Sequence, residues 1–195
     1  MKSLNFFKKI ELVISHPHRF FDRIKEEKNI WKVFEFYSIF VFLSLVTNLL
    51  FQAPLILKDK LTLSFPLYFL FIIISLVIVL LSVLFVGLSS FVLYYLCHII
   101  IKIFKGKEKY KETYKLVYAA TPMLIVLIIP FYGFFKIIFY PLFFIAFLDT
   151  IYIEFVALQK LQRLSKENAV AVIILSIILG ILSIKLLNLW GLLKI

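Results

Sequence analysis

Forty-one consecutive residues, Leu61 to Ile101, carry no charged side chain between Lys60 and Lys102. The run is built largely from Leu, Ile, Val and Phe. A bilayer core about 30 Å thick is crossed by roughly 20 helical residues, and no soluble core helix needs such a length. The chain is therefore expected in a membrane. Its composition agrees: 63% of residues are hydrophobic and 17% charged, against about 45–50% and about 25% in soluble domains. The expected class is all-α, a polytopic transmembrane helix bundle.

Charge-free stretches place five spans, at about 36–57, 66–101, 116–135, 137–158 and 168–190. Residues 1–35 read as an amphipathic cytoplasmic or interfacial region, and 36–195 as the five-helix membrane domain. In the first region Phe6, Ile10 and Val13 recur at helical spacing. Pro17 then opens a second helix, because its missing N–H costs nothing at a first helical position. Phe20, Phe21, Ile24 and Trp31 form the apolar stripe of that second segment. Such a helix lies in the membrane interface or packs on the bundle. No continuous apolar h-region occurs there, so no cleavable signal peptide is expected.

The net charge of +11 does not point to nucleic acid, since no zinc pattern, phosphate loop or RNA-binding signature accompanies it. The bases sit in links. Eight lie in the first thirty-two residues, six in 102–115 and three in 159–167, leaving five of the twenty-two elsewhere. Cytoplasmic loops carry the excess of Lys and Arg. Five spans put the three basic links on one side, with a cytoplasmic amino terminus and an outer carboxyl terminus. Splitting the 61–101 run in two would put strongly basic links on opposite faces. One long second span is expected, starting at Pro66, bending near Gly87–Ser90 and projecting Tyr94–Ile101 towards the cytoplasm.

Three stretches carry a family resemblance: Ile10–Phe34, with its P-x-x-F-F pattern; Lys105–Ile125, a basic Gly-containing loop followed by a Tyr–Lys helix; and Ala157–Leu175, the link into the last helix. In this order and with five spans the chain resembles the Yip1 family of small integral membrane proteins, of the prokaryotic type. The resemblance implies a multi-pass protein of the cell membrane. Eukaryotic relatives are linked to the secretory pathway, Rab-type GTPases and membrane shaping. The family has no established catalytic residues, so the resemblance supplies none.

Asp149 is the sharpest single residue. An acid within a span is costly unless paired, neutral or hydrated. It is either a proton or cation site, or a carboxyl tying helices together with Asn48, Gln52 or Thr121. Glu154 is nearer the helix end and reads as a solvated or Lys160-paired charge. Lys185 is expected to snorkel; a pair with Asp149 would have to close roughly 12 Å of depth. Thr121–Pro122 and Pro130 interrupt the third span and shape packing or a cavity. Tyr110, Tyr114 and Tyr118 recur every four residues beside Lys107, Lys111 and Lys115, a pattern expected of an anchor on anionic lipid or a docking face for a partner protein. Cys97 and His98 have no further metal ligands nearby, and no Ser–His–Asp, CxxC or HExxH arrangement occurs. No enzyme activity and no cofactor is expected. The leading expectation is a protein that organises lipid or partners through a basic cytoplasmic face. The alternative is a small transporter or channel using Asp149 and the broken third helix.

Overall fold

The computed structural model describes residues 5–58, 65–129 and 135–189. Every regular element in them is helical. Helices α1 (Phe6–Ser15) and α2 (Pro17–Ile24) precede the long α3 (Trp31–Lys58) and α4 (Phe65–Ile103). A short α5 (Tyr110–Tyr114), a 3-10 segment (Lys115–Ala120) and α6 (Thr121–Val126) follow, then α7 (Phe135–Gln162) and α8 (Lys166–Leu189).

Local chemistry sets the boundaries. Asn5 caps α1, its side-chain oxygen accepting from the Lys8 amide at 2.8 Å, as short polar residues do at helix starts. Pro17 occupies the first turn of α2. Asn29 accepts from the Trp31 amide where α3 opens. At the end of α4, Lys105 adopts the left-handed conformation (φ 67°) and the Gly106 amide donates to Ile101 O at 2.8 Å, a Schellman-type closure that satisfies an otherwise orphaned carbonyl. Arg163 is likewise left-handed after α7 (φ 55°).

Three helical stretches among the described residues are long and apolar enough to cross a membrane: Trp31–Leu50, Ile73–Ile103 and Ile137–Gln162. α4 is one continuous helix with Pro66 in its first turn. The preceding residues, 61–64, lie outside the described ones. Leu76, Leu80, Phe85, Leu93 and many neighbours on α4 are exposed, the surface expected of a helix whose solvent is lipid.

The third expected span differs. The chain over 116–126 is not one α-helix but a 3-10 segment followed by the six-residue α6, and Pro130 lies outside the described residues. The cause is Pro122. It has no N–H to give to Tyr118 O, its partner four residues back. The Thr121 amide and hydroxyl donate to that carbonyl instead, the hydroxyl at 2.6 Å, and the backbone there takes i→i+3 geometry. The broken rod still runs antiparallel to α7. Thr113 is bonded to Gln162 near one end of it, and Val126 packs with Phe139 and Ala146 near the other.

The main core sits at one end of the molecule. It joins Leu12 and Val13 of α1, Phe20, Phe21 and Ile24 of α2, Phe36 and Phe40 of α3, Tyr114 to Ala119, Ile153 to Leu161 of α7, and Ala169 to Ile173 of α8. The apolar stripe of α2 is thus packed on the bundle. Trp31 belongs to α3 instead, exposed and edge-on to Phe34 and Phe91.

Candidate functional site

Four contacts tie the three basic links together at that same end. The Lys107 amide donates to Gln162 O at 3.3 Å. Asn168 Nδ2 donates to Phe104 O at 3.1 Å. Lys160 pairs with Asp22 at 2.9 Å, and Lys115 Nζ donates to Lys25 O at 3.0 Å. Links far apart in the chain therefore present one common face. On it Arg19, Arg23, Lys28, Lys102, Lys105, Lys107, Lys109, Arg163 and Lys166 are exposed. Arg163 is paired with Glu108 at 2.7 Å. Lys105, Lys107 and Lys109 are in no ion pair among the described residues.

The structure divides the expected Tyr–Lys face. Lys107 is exposed and Lys111 half-buried. Tyr110 is half-buried, its hydroxyl donating to Phe91 O at 2.7 Å, and burial pushes its phenol up to about 12. Tyr114 is inside, stacked on Phe91 with ring centroids 4.3 Å apart and hydrogen-bonded to Ser90. Lys115 is also inside, 1% exposed, held by Glu112 at 3.0 Å as well as by Lys25 O. The aromatic side of this helix meets the core because aromatic surface gains most from burial. Lys115 follows it inward because its polar end finds two acceptors there. Neither Tyr114 nor Lys115 is available to a lipid surface.

A second buried lysine, Lys9, was not singled out by spacing. It is 7% exposed, donates to the Tyr118 hydroxyl at 2.8 Å and pairs with Glu27 at 3.4 Å. Burial pulls its ammonium below the usual lysine range, with Glu27 opposing the shift. Burial likewise lowers Lys115, against Glu112. The available signal was position, since Lys9 shares a helix face with Leu12 and Val13. Next to this cluster, Thr113 Oγ1 accepts from Gln162 Nε2 at 2.9 Å and lies 2.7 Å from His98 Nδ1. A threonine oxygen can accept as well as donate, so Thr113 serves both side chains at once. His98 thus joins α4 to α5 and α7. Among the described residues no group of three or more His, Cys, Asp or Glu could hold a metal.

Among the described side chains, the intramembrane polar candidates Asp149 and Thr121 are not joined to each other. Thr121 is fully buried with its hydroxyl on Tyr118 O. Asn48 is half-buried and donates to Ser44 O at 2.9 Å. The Gln52 side chain lies outside the described ones. Asp149 is exposed, and no hydrogen bond or ion pair among the described residues joins it to Asn48 or Thr121. Lys160 is taken by Asp22 rather than by Glu154.

Comparison with known proteins finds no match among curated proteins and none among solved structures. A protein-family model does match: the Yip1 domain, over residues 12–187. That match takes in the docked end of α1, all of α2 to α7 and nearly all of α8. A helical chain with membrane-length apolar helices, matched over most of its length, is a member of the Yip1 domain family of integral membrane proteins.

Proposed function

We propose that this chain is a non-enzymatic protein of the cell membrane that organises anionic lipid, or an acidic partner protein, through its basic cytoplasmic face. It crosses five times, with its amino terminus inside and its carboxyl terminus outside. The supporting observation is the meeting of three basic links at one end of the molecule. Counting Lys and Arg requires those links to share a side, and their contacts make them neighbours. The crossings then alternate: α3 leaves that end, α4 returns, the 3-10 segment and α6 lead away, α7 returns and α8 leaves.

Each lysine beside an anionic leaflet contributes about 1 kcal/mol, lost within a Debye length. Lys105, Lys107 and Lys109, exposed and in no ion pair among the described residues, are the residues to change. The full chain, reconstituted in vesicles of mixed phosphatidylglycerol and phosphatidylcholine and re-extracted in mild detergent, should retain phosphatidylglycerol in excess. Replacing all three lysines by Gln should cut that excess several-fold, and high salt should mimic the effect. An excess unchanged in the triple variant would refute lipid organisation by this face. No excess in the wild type would leave an acidic protein as the occupant, to be sought by cross-linking in native membranes.

A further inference from the structure

Two charges in the membrane-spanning region take no part in the polar end. Asp149 lies thirteen positions before Gln162 on α7, and Lys185 seventeen positions after Asn168 on α8. Both counts start from one place, because Gln162 O accepts from Lys107 N and Asn168 Nδ2 donates to Phe104 O in the same loop. At 1.5 Å per residue the two side chains leave their helices at about 20 Å and about 26 Å from that loop. The difference of about 6 Å is half that expected from the span boundaries. The structure extends α7 to Gln162 and so moves Asp149 deeper. A lysine stem running along its helix covers such a distance.

Both side chains are exposed, and among the described residues no ion pair joins them. Around Asp149 the surface is apolar and open, with Ile145, Leu148 and Tyr152 about half exposed. On α8, Ile178, Ile181 and Leu182 are exposed, and the space beside Gly180 holds no atom within 4 Å. A carboxylate facing hydrocarbon without a counter-charge is strongly disfavoured, and such groups turn inward or pair. Among the described residues Asp149 does neither: it is exposed and joins no ion pair.

We propose that a second copy of this chain covers this surface, with Asp149 of each copy paired to Lys185 of the other. Chains inserted in one orientation and related by a two-fold axis along the membrane normal keep every residue at its own depth. An isologous contact then needs an acid and a base at matching depth on the same chain. Asp149 and Lys185, about 6 Å apart in depth, meet that condition to within the reach of a lysine stem. An unrelated partner would have to supply both opposite charges at those two depths, whereas a second copy supplies them by symmetry. The open side of Gly180 also lets a neighbouring helix approach closely.

The test is self-association of the full chain in liposomes, read by energy transfer between donor- and acceptor-labelled copies as the protein-to-lipid ratio is lowered. Wild type should associate. Asp149→Asn and Lys185→Met, which burden insertion no more than the native residues, should each weaken association by about tenfold or more. The exchange Asp149→Lys with Lys185→Asp should restore association that either half alone abolishes. A wild type monomeric at every ratio, neutral variants as tightly associated as wild type, or an exchange variant no better than its halves would overturn the proposal.

Discussion

Thr113 holds three elements through one oxygen. It is fully buried on α5, accepts from Gln162 of α7 and faces His98 of α4. Thr113→Val keeps the volume and removes both bonds, leaving the buried Gln162 amide and the half-buried His98 Nδ1 without this partner, which costs about 1–3 kcal/mol. Thermal unfolding in detergent should show that loss, and Thr113→Ser should recover most of it. Gly106 is nearby for a steric reason. A Cβ there would sit 2.9 Å from Ile101 O and collide with the Ile101 side chain, so the turn has room only for glycine. Lys9 makes a prediction in pH. Burial lowers its pKa below the ordinary lysine value, so the folded protein binds this proton less tightly than the unfolded chain. Between the lowered value and the unfolded one, about 10.4, the unfolded state carries more protons and the contribution of Lys9 to stability rises with pH. Lys9→Met should therefore flatten the stability profile on the approach to pH 10. Tyr110 works in the opposite sense only once unfolded phenols ionise, near about pH 10. Profiles of wild type and variant that stay parallel would contradict this account.

At the scale of elements, α2 shows what docks the amino-terminal region. Phe20 and Phe21 are fully buried, Phe20 edge-on to Tyr118 at 5.1 Å. Phe20→Ala should cost about 3–5 kcal/mol and free α1–α2, making the Glu26–Asn29 link sensitive to proteases added to solubilised protein. Exposed Phe7, by contrast, should tolerate Ala with little change. The long helices were legible in the sequence because charge-free runs bounded by lysines leave little choice in a bilayer. α4 in particular is one continuous helix, as counting bases leads one to expect of a run twice as long as a crossing needs. The break before α6 was legible only as a pair of residues, Thr121–Pro122. That the chain answers with a 3-10 segment, whose Tyr118 O takes both the Thr121 amide and its hydroxyl, is a local outcome no periodicity encodes. Nor does a four-residue repeat say which side of a helix meets the core. Tyr114 and Lys115 are adjacent, and both are buried because Phe91, Glu112 and Lys25 O come from the fold.

At the scale of the molecule, the core and the bases share one end. Outside it the described helices are apolar and largely exposed, as lipid requires. This arrangement makes one claim about the whole chain: that the amino-terminal region and the 102–115 and 159–167 links are on the cytoplasmic side together. Cysteine accessibility tests it directly. With Cys97→Ser as background, single cysteines at Lys28, Lys107 and Arg163, all exposed positions, are treated in intact cells with a membrane-impermeant maleimide. All three should remain unlabelled until the membrane is permeabilised, and then react. Labelling of any one of them from outside, with the others protected, would contradict the account.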